Sequence, residues 1–204
     1  MKRASLTILL LLSMVCFAQA QTDQASQLKR WHETRDGSFR NRAQTPLTSA
    51  GLLKFKGLEY FDLNEKFIVK ARFDRTEDER IFMMPTVTGG KPLKYFKRGI
   101  LKFELDGRSF SLTAFQSEAA AKKNYALFVP FRDLTSGAQT YGAGRYLDIK
   151  TPLGAEVILD FNYAFNPNCA YGNDQYVCPV APRENFLQIE IKAGEKIFPD
   201  AEKQ

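Results

Sequence analysis

A chain of 204 residues, 44% hydrophobic and carrying 17 Phe, has the length and apolar content for one globular domain with a sizeable core. Its formal charge of +6 comes from basic residues scattered among acids. That excludes the clustered Lys/Arg footprint of a nucleic-acid-binding protein and supports no more than mild attraction to an anionic surface or ligand.

The chain opens Met1-Lys2-Arg3, runs apolar from Leu6 to Phe17 and continues Ala18-Gln19-Ala20. A basic start, a short apolar run and a small-residue cleavage site predict a secretory signal peptide over 1–20. The run is shorter than the roughly 20 residues of a membrane span, so no transmembrane segment is expected in the mature chain. Val15 is too large to precede an acylated Cys16, which argues against a lipoprotein. The expected location is the periplasm or the medium. Beyond the leader only Cys169 and Cys178 remain. In an oxidising compartment two cysteines in one small domain usually pair, and closing so short a loop would add roughly 2–3 kcal/mol. Free thiols and metal binding are the competing readings. Zinc needs about four nitrogen or sulfur ligands, and His32 stands alone and far away, so no metal site and no cofactor are expected.

Residues 21–44 read as an N-terminal helical extension. Leu28, Trp31, Arg35 and Phe39 fall at helical spacing over 23–42, weakened in the middle by Gly37. His32 is taken as a surface histidine. Thr45-Pro46 breaks the helix, and Thr48 can cap a short turn through Leu53. The period then changes to two: Phe67, Val69, Ala71 and Phe73 alternate with Ile68, Lys70 and Arg72. A short strand is expected over Glu79 to Val87. Ile100 to Leu105 and Arg108 to Phe115 flank Asp106-Gly107, a strong hairpin turn, with Leu101, Phe103 and Leu105 facing Phe110, Leu112 and Ala114. Glu118 to Asn124 reads as a helical turn or two, and Ala126 to Phe131 as an apolar strand. Arg145 to Ile149 and Glu156 to Asn162 are expected to pair across Thr151-Pro152-Leu153-Gly154. Phe186 to Lys192 alternates with Leu187, Ile189 and Ile191 inward. Short strands without intervening long helices predict an all-β, mostly antiparallel barrel or sandwich with an N-terminal helix. Without repeats or linkers, residues 45–198 form one β-domain and 199–204 a tail.

The densest stretch is 128–185. It contains Phe131-Arg132-Asp133-Leu134-Thr135-Ser136-Gly137, Thr140-Tyr141-Gly142-Ala143-Gly144-Arg145-Tyr146, Asp160-Phe161-Asn162, Asn166-Pro167, Cys169-Ala170-Tyr171 and Cys178-Pro179. Together with Asn185, Ala193-Gly194-Glu195, Thr45-Pro46-Leu47 and the run from Phe55 to Phe61, these residues resemble the signature of the domain-of-unknown-function 1684 family, found mainly in bacteria. The resemblance spans about residues 45–198. Two departures occur: Ala181-Pro182 stands where a double proline is usual, and Phe165 where Tyr is common. The resemblance supplies a family and no reaction.

Gly137, Gly142 and Gly144 suit positive φ or close backbone approach. Asp133, Arg145, Asp148 and Asp160 lie near strand ends among apolar residues. An Arg145–Asp160 pair would be either a structural lock or part of a ligand cluster. Enzyme templates fit poorly. A Ser–His–Asp or Cys–His triad has only His32 to draw on. No HExxH or phosphate loop is present, and Gly142-x-Gly144 precedes a strand rather than a helix. The expected function is a binding module for a small polar or anionic ligand. Arg132 and Arg145 would supply charge, Tyr141 and Tyr171 flat faces, and Asn162, Asn166 and Asn185 orientation, with Asp133 and Asp160 beside them. Two alternatives are a sugar or ester hydrolase using Asp133 and Asp160 as a carboxylate pair and a purely structural envelope accessory protein.

Overall fold

Period-two patterning from Phe67 onward is realised as eight strands. The computed structural model describes residues 23–76, 78–87, 90–121, 126–151 and 154–199; the leader-like segment and the last five residues lie outside them. The strands are β1 (Ile68–Arg75), β2 (Ile81–Met84), β3 (Leu93–Leu105), β4 (Arg108–Ser117), β5 (Leu127–Asp133), β6 (Arg145–Ile149), β7 (Glu156–Asp160) and β8 (Phe186–Leu187). Their main path runs β6-β5-β4-β3-β1-β7, with β2 added to β3 and β8 added to β5. All pairings are antiparallel except the short β5–β8 one. The sheet curls into a half-barrel around one apolar core. Val69, Ala71 and Phe73 of β1, Leu101 and Phe103 of β3, Leu112 of β4 and Val129 and Phe131 of β5 point into it.

The β3–β4 hairpin turns as its sequence predicts. Asp106 and Gly107 both have positive φ, 52° and 68°, and Leu105 and Arg108 close the turn. Two positive φ values give the turn whose twist matches that of paired strands. Near the other end the β3–β4 register shifts between Lys97 and Gly99. A Cβ at Gly99 would sit 2.4 Å from the Phe73 ring, so only glycine admits this bend.

The expected pairing of 145–149 with 156–162 does not occur. These strands, adjacent in sequence, stand at opposite ends of the sheet path: β6 pairs β5, and β7 pairs β1. Each already has a neighbour on its other side, β5 for β6 and β1 for β7, and the sheet curls without closing between them. Beyond β7 the chain takes a 3-10 turn (Phe161–Tyr163) and returns to β6, where Phe165 and Tyr146 exchange backbone hydrogen bonds of 2.8 and 3.0 Å. This bridge closes the half-barrel at one end only.

The expected strand over 186–192 is a ladder only at its first two residues. Its alternation survives in burial, with Leu187 and Ile191 enclosed and Ile189 packed against the core. Beyond Leu187 it is an extended strap whose carbonyls are bonded by a side chain, as described below.

Helix α1 covers residues 23–40 and continues through Gly37. It lays Leu28 and Phe39 inward, and Phe39 joins Leu47, Leu58, Tyr171 and Phe198 in a second apolar cluster. Helix α2 (Ser49–Lys54) begins at Thr48, whose hydroxyl accepts from the Gly51 N–H. Helix α3 is one turn (Glu118–Ala121); the rest of the expected 118–124 segment lies outside the described residues. His32 is not a surface residue: it is half-buried and stacked on Tyr60 at 3.6 Å. Burial lowers its pKa, against the pull of Asp36.

Candidate functional site

Most of the residues singled out by the sequence are buried, but they fall into separate networks. Arg145, 1% exposed, donates from Nη2 to the Asp133 carboxylate at 3.0 Å and to the Ile191 carbonyl at 2.8 Å. Its Nη1 donates to the Ala193 carbonyl and, at 3.4 Å, to that of Glu195. Asp133 is equally enclosed. Its Oδ1 accepts from the Thr135 N–H and hydroxyl and from the Ile191 N–H. One guanidinium therefore does for the strap what a neighbouring strand would otherwise do, satisfying carbonyls that water cannot reach.

The expected Arg145–Asp160 pair does not form. Register explains this: Arg145 lies opposite Phe131 on β5, which brings Asp133 within reach, whereas Asp160 ends a strand that β6 does not touch. Asp160 instead caps the 3-10 turn after β7, accepting from the Asn162 N–H at 2.9 Å and its Nδ2 at 2.8 Å. An Asp133–Asp160 carboxylate pair has no shared cleft, because Asp133 is closed off on Arg145.

A second buried network ties α1 to the end of the chain. Glu195 accepts from Arg35 Nε at 2.9 Å, from Asn166 Nδ2 at 3.0 Å, from the Asn166 N–H at 3.2 Å and from the Tyr171 hydroxyl. Arg35 also donates to the Asn166 carbonyl and to the Tyr171 oxygen. Burial pushes the Glu195 carboxyl up, and Arg35 and the Tyr171 donor hold it down. Gly194 makes the approach possible: its φ is +75°, and a Cβ there would lie 2.5 Å from the Ala164 carbonyl oxygen.

The asparagines replace missing strand partners. Asn162 bonds both backbone groups of Asn64, at 3.0 and 3.1 Å. Asn185 bonds both backbone groups of Thr113 and reaches the Pro130 carbonyl at 2.7 Å, where β4 and β5 diverge. Tyr141 is half-buried against the second apolar cluster, and Arg132 lies over the Phe186 ring at 5.7 Å. Cys169 and Cys178 are joined as a disulfide. Among the described residues no group of His, Cys, Asp and Glu is placed to hold a metal ion.

The open seam between β6 and β7 contains the feature that this buried set does not explain. A cleft of about 630 Å³ lies there. Residues 147–150 form one side, residues 158–160 the other, and Trp31, Tyr163 and Phe165 the end where the chain crosses back to β6. Trp31 and Tyr163 meet edge to face at 5.3 Å, and all three rings are half-buried. Strand phase directs further polar groups into the gap. Tyr146 bonds Phe165 on the seam side, so Asp148, two residues on, turns its backbone N–H and C=O the same way. Phe73 bonds Ala155 on the β1 side, which by alternation leaves the Ile158 backbone facing the seam.

Two carboxylates line this cleft. Asp148 is open to solvent at the mouth but crowded by protein at its sides, and this partial burial raises its pKa against the pull of Arg35. Asp160 is half-buried; burial raises it, and the Asn162 donors pull it back. Among the described residues neither takes part in an ion pair. Asp160 is the one member of the sequence-derived ligand set found in the cleft. Trp31, Lys150, Tyr163 and Phe165 were missed because they lie outside or at the margins of the signature's polar runs, and Asp148 was noted only as a charge near a strand end. The outward parity of Asp148 on an otherwise apolar strand was the available signal.

A family described as protein of unknown function (DUF1684) matches residues 53–196. The chain belongs to that family. An uncharacterised protein of the haloarchaeon Haloarcula marismortui, known from a solution structure, is 33% identical, with a TM-score of 0.68 over 90% of this chain and 98% of that one. No curated protein matches. No helix among the described residues is long and apolar enough to cross a membrane.

Proposed function

We propose that this member of the DUF1684 family is an exported binding module that holds a small polar ligand in the cleft between β6 and β7. The observation carrying this reading is a concave site with three aromatic rings and two carboxylates that have no ion-pair partner among the described residues. Ligand sites are typically clefts of 300–1,000 Å³ with mainly apolar walls and a few convergent polar groups. Asp148 at the mouth and Asp160, which also caps the 3-10 turn, are left without a counter-ion among the described residues, and this supports a ligand site. The leader-like residues 1–20 and the Cys169–Cys178 bond support export. Arg145 takes no part in recognition, since it is enclosed in the core with both Nη groups on Asp133 and the strap.

Trp31 is the chain's single tryptophan and stands at the end of the cleft, so its fluorescence reports occupancy. Small polar compounds of positive, zero and negative charge are titrated against the mature protein, with backbone amide shifts recorded in parallel. The expected result is saturable change at Trp31 with shifts confined to residues around 147–150 and 158–165. If no charge class gives saturable binding there, the cleft is not a ligand site.

A further inference from the structure

We infer that the cleft recognises an organic ammonium ion, its charge held between Asp148 and Asp160 and its carbon skeleton against Trp31, Tyr163 and Phe165. This rests on the reading of the cleft as a binding site and adds the charge and chemistry of the ligand.

The argument begins with what the cleft offers. Aromatic faces carry negative potential and attract a cation placed over them, most strongly at Trp and more so when water is excluded. Two unpaired carboxylates supply formal charge of the same sign. Asp160 is oriented by two bonds from Asn162, both to Oδ1, which leaves Oδ2 without a hydrogen bond among the described residues. The Asp148 and Ile158 carbonyls add neutral acceptors by strand phase. An anion would meet two carboxylates with Lys150 to offset only one of them. A neutral polyol would find the Asp148 and Ile158 backbone groups but few others, because Leu147, Ile149, Ile158 and Leu159 make the side-chain walls aliphatic. A bare metal ion is a poorer match, since hard cations require six or more oxygen ligands.

Three cationic side chains lie near, Arg30 among them, close enough to Tyr163 to pull its hydroxyl pKa down against burial. Arg35 lies over Phe165 at 4.9 Å and over Trp31 at 5.9 Å, so a ligand has the opposite faces and the Tyr163 ring; its charge is balanced by Glu195. Lys150 lines the cleft, is exposed and has no ion-pair partner among the described residues. Its long side chain reaches solvent, leaving the carboxylates to the ligand, though its charge weakens binding. Lys150→Met should therefore tighten it.

The test uses compounds of one shape and different charge: choline and 3,3-dimethylbutylammonium as cations, 3,3-dimethylbutan-1-ol as the neutral isostere and 3,3-dimethylbutanoate as the anion. Affinity for the mature protein is read from Trp31 fluorescence, and position from amide shifts. At least one cation is expected to bind about tenfold or more tighter than the alcohol, a difference of the size expected of a partly desolvated cation beside rings and carboxylates. The anion should bind worst. Asp148→Asn and Asp160→Asn should each weaken the cation severalfold, leave the alcohol unchanged and keep the fold, as checked by circular dichroism. Lys150→Met should act in the opposite direction.

If the alcohol or the anion occupies the cleft as tightly as both cations, the ammonium assignment fails while the binding-module reading stands. Cation affinity unchanged in both carboxamide variants also overturns it. If none of the four compounds binds and the broader titration finds no ligand, both readings fall together.

Discussion

Arg35 and Glu195 are 160 residues apart in the chain and meet as an ion pair at 2.9 Å, with Glu195 only 1% exposed. The pair pins the N-terminal helix across the end of the half-barrel. It also places Trp31, one turn earlier on the same helix, at the cleft between β6 and β7. A structural network thus holds one wall of the proposed site without touching a ligand.

Removing one partner of such a pair leaves a buried charge uncompensated, which costs about 3–5 kcal/mol. Arg35→Ala should show a loss of that order in urea unfolding at neutral pH. Adding Glu195→Gln should recover part of it, because the stranded charge is gone while one acceptor remains for Asn166 and Tyr171. The pH dependence has a definite sign. Without Arg35, burial raises the folded-state pKa of Glu195 further above its unfolded value. The protein is then favoured while Glu195 is protonated and loses stability as pH rises through the folded pKa. The deficit of Arg35→Ala should shrink in acid. A double variant less stable than Arg35→Ala would show that charge is not what the pair controls.

The Cys169–Cys178 bond closes the loop that carries Tyr171, whose hydroxyl joins Arg35 and Glu195. On the loop-entropy account the bond contributes roughly 2–3 kcal/mol. Thermal unfolding with and without reductant should show a lower midpoint for the reduced protein, and Cys169→Ser should match it. An unchanged wild-type midpoint under reductant would mean that the loop is not covalently closed in solution.

Arg145→Lys isolates geometry from charge. Lysine keeps the positive charge beside Asp133 but cannot spread a planar fork over the carbonyls of Ile191 and Ala193. Leaving buried acceptors unpaired costs about 1–3 kcal/mol each. Hydrogen exchange should accelerate along residues 188–196 more than in β3 and β4. Uniform acceleration across the sheet would refute a local role in holding the strap.

The strands were legible because their signal is local. Alternating apolar positions mark β1, β3 and β4, and Asp106-Gly107 marks the hairpin without reference to anything distant. The neighbours of β6 and β7 were not legible. A short connection containing Pro and Gly reads as a hairpin whether the chain turns back or steps across the opening of a curled sheet. The expected Arg145–Asp160 pair depends on that one pairing: once β5 is the neighbour of β6, Asp133 is the carboxylate that Arg145 bonds. The signature's polar residues were conspicuous in sequence, yet much of their chemistry is spent on backbone groups that short strands leave unpaired. The aromatic end of the cleft is not legible in the sequence, because Trp31 at helical spacing reads as ordinary helix packing and only the return crossing of 161–165 places Tyr163 and Phe165 beside it.

Asp148 offers the clearest separation of function from stability. It has no ion-pair partner among the described residues, and burial in the cleft raises its folded-state pKa, so the fold disfavours its ionised form. A group raised in this way contributes stability while protonated, below its unfolded pKa, and that contribution is lost as pH rises through the folded value. Asp148→Asn removes the charge and keeps the shape. The variant should therefore unfold at a slightly higher temperature than wild type near neutral pH. The gap should close as pH falls through the carboxylate range and wild-type Asp148 takes up its proton. The gain will be small, because the side chain is open to solvent at the mouth and water screens it. Scanning calorimetry across pH 3–8 checks both the sign and the convergence. Higher stability together with lost ammonium binding would mark Asp148 as a residue kept for a ligand, in line with the usual conflict between binding sites and stability. A destabilised variant at neutral pH would instead assign Asp148 to the architecture of the fold.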